Sequence, residues 1–350
     1  MRAGVWLTTF GSISLAWPGV MPPARAQLPE VTLATPLAVS SVSTFLAKEK
    51  GYFREAGVEV KIEQIDSLTR VIALVATNRI QLAQGAINAG LFNAVGQGLP
   101  VIMTLGSGAT PVYHNLVVRR ALKDEIKTPG DLRGRNIAVS GVGSGSVYEV
   151  ASVLEGAGMR LSDVNLKPLS FQQMTTSLAN GSVDVALMYS PFAEYAFEQG
   201  IAVPWIDPED GYMKVLPASS LAWVASADWI RQNRDVAGKV MLAIVRAGRE
   251  YCQAYHHGPN RGELIEAMLR NGIATDRAAI DRVNWQARDP DGAFNRDSIL
   301  DIQRVFRKEG FVEKEAPYEK LIDSGFAAVA ARALGAFEVL NKASPLRGCR

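Results

Sequence analysis

The sequence predicts an α/β protein of two lobes, each a mainly parallel sheet flanked by helices. Three observations predict it. Apolar stretches of strand length alternate with amphipathic stretches of helix length, the pattern of parallel strands joined by right-handed crossovers. The alternation occurs twice: "ATNRIQLAQGAINAG" matches "LANGSVDVALMYSPF" in layout at an offset of about a hundred residues, the size of one domain. At the same offset, a Ser-rich loop at residues 40–43 falls on "VSGVGSGSVYE" at residues 139–149. Each half therefore carries a small-residue loop after its first strand.

In order, "VTLA" is a short strand and "PLAVSSVS" its loop, and "TFLAKEKGYF" has helical spacing broken at Gly51. "VEVKIEQI" alternates as a strand does. "LTRVIALVATNR" is helical, "IQLAQGA" a strand, "NAGLFNAVGQG" a helix and "PVIMTLG" a strand. The second half repeats the scheme. "RNIAVS" is a strand, "SVYEVASVLEGAGM" a helix stopped by Gly156 and Gly158, and "VNLKPLS" a strand. "FQQMTTSLANGS" is helical, "VDVALMYS" a strand and "PFAEYAFEQG" a helix. "LPASSLAWVASADWI" returns as an extended segment. Four helical stretches complete the chain, from "AGKVMLAIVRAGREYCQAYHH" to "YEKLIDSGFAAVAARAL", and pack most economically on the first lobe.

A chain of 350 residues, 48% hydrophobic and 21% charged, is long enough for two domains with separate cores. Residues 1–26 read as a secretion signal: Arg2 is followed by an apolar run over residues 4–15, and Ala24-Arg25-Ala26 is a small-x-small cleavage pattern. The run is too short to span a bilayer. No Cys follows the cleavage site, so a lipid anchor is not expected. Removing Arg2 and Arg25 lowers the basic count from 37 to 35, equal to the 35 acids. That balance gives no footprint for nucleic acid. Cys252 and Cys349 make no disulfide framework, and their spacing does not decide whether they form one bridge.

In an open parallel sheet, ligands bind outside the carboxyl ends of the strands. A Ser/Gly loop there offers backbone N–H groups and hydroxyls beside the positive end of a helix dipole. The alternative is a helix cap made by Ser144 or Ser146. Sharper motifs fail. From Gly141 and Gly143, a dinucleotide fingerprint would need Gly where Ser146 stands, and a phosphate loop would need a lysine the stretch lacks. Neither Ser144 nor Ser146 has the two glycines of a nucleophile turn. The only histidines are His114, His256 and His257, too few for a Cys/His zinc site and few for a catalytic triad. His256 and His257 precede Gly258-Pro259 at a helix end, where partial positive charge is favoured. Asp207, Glu209 and Asp210 form a turn with Pro208 and Gly211, and are expected to be solvated. "RDPDGAFNRD" lacks the terminal Glu of a calcium loop and is also expected to be a turn. Neither a metal nor a cofactor is expected.

"FLAKEKGYFREAGVEVKIEQI" followed by "LVATNRIQLAQGAINAGLFNAVGQGLPVIMTL" resembles the periplasmic substrate-binding proteins of ABC importers, of the nitrate/sulfonate/taurine and thiamine-precursor type. "DLRGRNIAVSGVGSGS" and "LANGSVDVALMYSPF" are similar to that family's second lobe. "DPDGAFNRDSILDIQRVFRKEGFVE" and "APYEKLIDSGFAAVA" are similar to its C-terminal helices. The resemblance covers nearly all of the mature chain. It implies the type II periplasmic binding protein fold, with one lobe from residues 27–117 and 220–350 and the other from residues 118–219. A two-segment hinge near residues 116–120 and 216–223 would let the lobes close on a small molecule. Matching positions imply ligand contacts from Ser40, Ser41, Ser43, Asn88, Tyr113, Ser144, Gly145, Ser146, Tyr189 and Ser190, with Trp223 either lining the cleft or buried in the core.

The resemblance implies a monomeric, non-catalytic, periplasmic binding protein. It would deliver a small polar or anionic organic solute (a sulfonate, a carboxylate, or an aromatic or heterocyclic acid) to an inner-membrane ABC permease with its ATPase. No arginine sits in the matched loops, so an oxyanion held by a guanidinium fork is less expected. Two alternatives stand beside this. One is an enzyme on the same scaffold; its thiamine-pyrimidine form needs a cysteine-rich motif absent here, and its menaquinone-pathway form is cytoplasmic. The other is a ligand sensor that reports to a receptor.

Overall fold

The computed structural model describes Gly4 and residues 27–65, 68–112, 114–190, 192–283 and 285–350. Apart from Gly4, the expected secretion signal lies outside the described residues, and so does Tyr113. Among the described residues, ten strands form two five-stranded sheets. The first contains β1 (Glu30–Thr35), β2 (Glu59–Gln64), β3 (Leu82–Ala86), β4 (Val101–Ala109) and, much later in the chain, β10 (Ser219–Ser226). The second contains β5 (His114–Arg119), β6 (Asn136–Val139), β7 (Asn165–Pro168), β8 (Val185–Tyr189) and β9 (Ala202–Ile206). Their orders are β2-β1-β3-β10-β4 and β7-β6-β8-β5-β9.

Strand pairs joined by helical crossovers are parallel: β1 with β2 and β3, and β6 with β7 and β8. One strand in each sheet is reversed. β10 is antiparallel to β3 and β4, and β5 is antiparallel to β8 and β9. These are the two strands that arrive directly from the other sheet, β5 after β4 and β10 after β9. A strand entering without a crossover helix is not held to the parallel direction. The central strands β3 and β8 are covered on both faces, which is why "LAQGA" and "VALMY" lack the alternation of a half-exposed strand. β5 and β9 add to the strands expected from sequence. Pro204 speaks against a strand at residues 202–206, yet β9 is the outermost strand of its sheet, where a missing donor is tolerated.

The chain passes between the sheets at residues 110–112 and 207–218. The two crossings are tied together: Thr110 N–H donates to the Ala218 carbonyl at 3.0 Å, and Ala218 N–H donates to Thr110 Oγ1 at 2.8 Å. The segments expected to cross, residues 116–120 and 216–223, overlap β5 and β10, the first strands reached after each crossing.

One face of the first sheet is closed by the helices Arg234–Tyr255 and Gly325–Leu334. Val31, Leu33 and Trp223 of the sheet pack there against Val240, Met241, Ile244 and Phe326. Each such side chain contributes roughly 1.5–3 kcal/mol on leaving water. The helix Arg296–Lys308 also reaches the second lobe. Its Phe306 ring lies 6.2 Å from Phe92 and 6.5 Å from Tyr148, and Tyr148 donates to Asp301 at 2.9 Å. Beside them Glu155 receives Arg304, Lys308 and Lys214, and these cations hold its carboxyl far below the usual range.

Cys252 and Cys349 are joined by a disulfide across a sequence separation of 97 residues, which settles the pairing that spacing left open. His256, one residue past the end of the helix, does not act as the cation expected there. It is fully buried, with Nδ1 at 2.8 Å from Ser344 Oγ and Nε2 at 3.1 Å from the Gly348 carbonyl. Burial pushes its pKa below the ordinary value, so it stays neutral and pins the C-terminal tail.

Candidate functional site

Four loops follow the carboxyl ends of parallel strands, those after β1, β3, β6 and β8, and the loops after β3 and β6 meet across the junction between the lobes. The loop after β1 enters a 3-10 turn, Val39–Ser41, that runs into the helix Val42–Glu49. Ser40, Ser41 and Ser43 are all buried. A chain of polar contacts fixes this loop to the sheet: Thr35 Oγ1 donates to Gln84 Oε1 at 2.6 Å, and Gln84 Nε2 donates to the Ser40 carbonyl at 3.4 Å. Ser43 Oγ accepts from Arg288 Nη1 at 3.0 Å, and the Ser40 carbonyl accepts from Arg288 Nη2 at 2.7 Å.

After β3, Asn88 caps the helix Ala89–Gly96. Its Oδ1 accepts from Leu91 N–H at 3.0 Å and its Nδ2 donates to the Ala86 carbonyl at 2.8 Å. After β6, Ser144 is the residue preceding the helix Gly145–Gly156, but its side chain does not cap it. The hydroxyls bond inside the loop instead. Ser146 Oγ accepts from Ser140 N–H at 3.0 Å and lies 2.7 Å from Ser144 Oγ, which itself donates to the Gly141 carbonyl at 2.7 Å. After β8, Tyr189 stacks at a tilt on Phe171 with centroids 5.2 Å apart, and Ser190 Oγ donates to Glu194.

The lobes touch through two of these loops. Ala89 N–H donates to the Gly143 carbonyl at 2.9 Å, joining the helix start in the first lobe to the glycine loop in the second. Gly143 holds φ at +66° and comes so close that a side chain there would meet Ala89 Cβ at 3.0 Å. The region around Asn88 and residues 143–146 is thus brought together across the junction. Trp223 is placed elsewhere. It is 1% exposed and packs in the apolar core between the first sheet and the helix Arg234–Tyr255. Ser43 turns back toward Arg288.

Three charged residues join the site that sequence reasoning did not single out. Glu209 is 7% exposed, although its turn has the expected form, with Glu209 N–H donating to Asp207 Oδ1 at 2.9 Å. The expectation of a solvated acid fails because the first crossing covers it: Val112 N–H donates to Glu209 Oε1 at 3.0 Å. Glu149, on the helix that starts at Gly145, is 4% exposed. Burial, with Glu209 and Asp207 nearby, pushes the Glu149 carboxyl well above its ordinary value. Burial raises Glu209 to about 7, with Asp207 adding to it. Two neighbouring acids therefore sit where the crossings meet the second lobe, and near neutral pH they do not carry two full charges. The third is Arg288. No local pattern places its fork beneath the first ligand loop, 245 residues away from Ser43.

Comparison with known proteins agrees with this architecture. A model of the family described as NMT1/THI5 like matches residues 39–255. A formylaminopyrimidine-binding protein of Halalkalibacterium halodurans is 24% identical over 236 residues, covering 66% of this chain and 67% of that protein. The periplasmic aliphatic sulphonate binding protein SsuA of Escherichia coli aligns with a TM-score of 0.68 at 16% identity, over 85% of this chain and 93% of its own. The desulfurization enzyme DSZB aligns with a TM-score of 0.59 at 16% identity, over 88% of this chain and 100% of its own. These likenesses show the two-lobed fold of periplasmic binding proteins, which one enzyme also uses. With the family model covering well over half of its length, the chain belongs to the NMT1/THI5-like family.

Proposed function

We propose that the protein is an extracytoplasmic solute-binding component of an ABC importer, working as a monomer without chemical turnover. The lobes, one built on β1–β4 with β10 and the other on β5–β9, close on one small polar organic solute and present it to an inner-membrane permease with its ATPase. The observation that carries this is the pair of ligand loops meeting at Ala89 and Gly143 across the junction between two sheets that the chain joins by two crossing segments. Loops at strand carboxyl ends supply the ligand groups in such sheets, and two crossings let packed lobes move as bodies. The formylaminopyrimidine-binding relative and the sulphonate-binding structure support the solute-binding role.

Ser40, Ser41, Asn88, Gly145, Tyr189 and Ser190 stand at these loops, and Tyr113 follows the first crossing in sequence. We place the ligand among them. The hydroxyls of Ser144 and Ser146 hold the loop in shape and leave backbone groups to face the solute. Calorimetric titration with sulfonates, aromatic acids and aminopyrimidines tests the proposal, with the solute analysed before and after. One-to-one binding of an unchanged solute supports it. Turnover by the purified protein sinks it in favour of the enzyme reading, for which DSZB shows the fold is suited.

A further inference from the structure

The helix Arg296–Lys308 is fastened to the first lobe at both ends and faces the second lobe along its length. At its start, Asn295 Nδ2 donates to the Pro217 carbonyl at 3.0 Å, and Ser298 Oγ accepts from the N–H of Ser219, the first residue of β10, at 2.8 Å. Just past its end, the Phe311 carbonyl accepts at 2.8 Å from Asn93 Nδ2, on the first-lobe helix Ala89–Gly96. Between these anchors it meets the second-lobe helix Gly145–Gly156. Glu155 of that helix receives the Arg304 guanidinium as a two-pronged fork, at 3.1 and 3.0 Å, and Lys308 Nζ at 2.7 Å. Lys214, on the second crossing, reaches the same carboxylate at 3.0 Å. One carboxylate of the second lobe thus holds two cations of the first lobe and one of a segment that joins them.

Isolated ion pairs at a surface contribute little, but forks and networks of several charges are the exception. The Glu155 side chain is 21% exposed, so the network is partly shielded from solvent. Without that carboxylate, Arg304, Lys308 and Lys214 would repel one another around a single point. Among the described residues, only Arg304 of the three keeps another acid, Asp301 at 2.8 Å. The helix also ties the network to the cleft. It starts at Gly145, beside the loop whose Gly143 carbonyl meets Ala89, and at ~1.5 Å per residue Glu155 lies about 15 Å further along the axis. Any shift of the glycine loop relative to Ala89 therefore shifts Glu155 relative to Arg304 and Lys308. A fork is sensitive to such a shift because both of its hydrogen bonds need alignment.

We propose that Glu155 is the latch of the closed arrangement: by pairing with Arg304, Lys308 and Lys214 it holds the lobes together and sets solute affinity without touching the solute. Glu155 is in this sense a positioning residue. The proposal rests on the solute-binding reading above and adds the contact that fixes its closing equilibrium. A contact shifts such an equilibrium only by as much as it differs between the two states. The network is accordingly intact with the lobes together and parted with the lobes separated.

Spin labels at Gln64→Cys and Lys167→Cys in the full, solute-free chain measure lobe separation by pulsed electron double resonance. Both positions are exposed, on β2 and β7, the strands farthest from the crossing strands in each sheet. The native cysteines are joined to each other and take no label. The probe is sodium chloride alone, raised from about 0.1 to about 1 M, which shortens the screening length from roughly 10 to 3 Å. The wild type is expected to show mainly the short distance at low salt and a growing separated population at high salt. Glu155→Gln is expected to raise the separated population about fivefold or more at low salt and to respond little to added salt. Glu155→Asp, which keeps the charge, restores part of the wild-type behaviour. A merely structural role would lower thermal stability, followed by circular dichroism, and leave the distances unchanged.

Gly143→Ala, which crowds the contact with Ala89, is the control for separation. If it lengthens the distance and Glu155→Gln does not, the latch is overturned and lobe closure stands. If no variant and no salt concentration changes the distance, lobe closure falls and the latch with it. A shorter distance in Glu155→Gln also overturns the proposal. Should Glu155→Gln fail to fold, Lys308→Gln, with a side chain 39% exposed, takes its place with the same expectations.

Discussion

Replacing Glu209 by Gln isolates the electrostatic load at the crossings. The carboxyl is 7% exposed and sits between the Val112 N–H that bonds it and the half-buried Asp207 that repels it. Burial, the larger cause, and Asp207 raise its pKa from the ordinary 4.5 to about 7. The folded carboxyl therefore holds its proton more tightly than the unfolded one. Between pH 4.5 and about 7 the folded state binds more protons, so stability falls as pH rises through that window. At about 1.4 kcal/mol per tenfold change in proton affinity, full ionisation costs on the order of 3 kcal/mol. Gln keeps an oxygen for Val112 N–H and cannot ionise. Glu209→Gln is thus expected to match the wild type near pH 4 and to be more stable at pH 8, by up to roughly 3 kcal/mol. Denaturation followed by circular dichroism at both pH values measures it. An equal change at the two pH values, or a loss at pH 8, would refute the reasoning.

Two other replacements probe the tail and the junction. Replacing Cys252 and Cys349 together by Ser removes a cross-link closing a long loop, and is expected to cost about 2–4 kcal/mol; it also frees the tail that His256 and Arg288 hold, which hydrogen exchange at residues 344–350 reports. Exchange unchanged there would show that the tail is held without the disulfide. Gly143→Ala places a methyl 3.0 Å from Ala89 Cβ on a backbone at φ +66°, and should weaken ligand affinity by favouring the separated lobes. Unaltered affinity would mean that the Ala89–Gly143 contact is not part of closure.

The repeated strand and helix pattern and the loop pair at residues 40–43 and 139–149 were legible because each rests on local spacing. Strand direction was not. β5 and β10 reverse because of where they come from, which periodicity does not encode. Glu209 was legible as a turn residue but not as a buried one, since Val112 reaches it from 97 residues away. Arg288 lay in a segment that reads as a turn, and its targets Ser40 and Ser43 are about two-thirds of the chain distant. Trp223 was ambiguous because both faces of a central strand are covered, and only the packing of the helix Arg234–Tyr255 shows which face it takes.

The central claim is reversible binding without chemistry. The most direct test is to denature the purified protein, identify any released solute by mass spectrometry, and titrate that solute back into ligand-free protein before extracting it again. One equivalent bound and recovered with its mass unchanged after prolonged incubation is the predicted result. A product of altered mass that accumulates with time would contradict the account, as would failure of every solute class to bind.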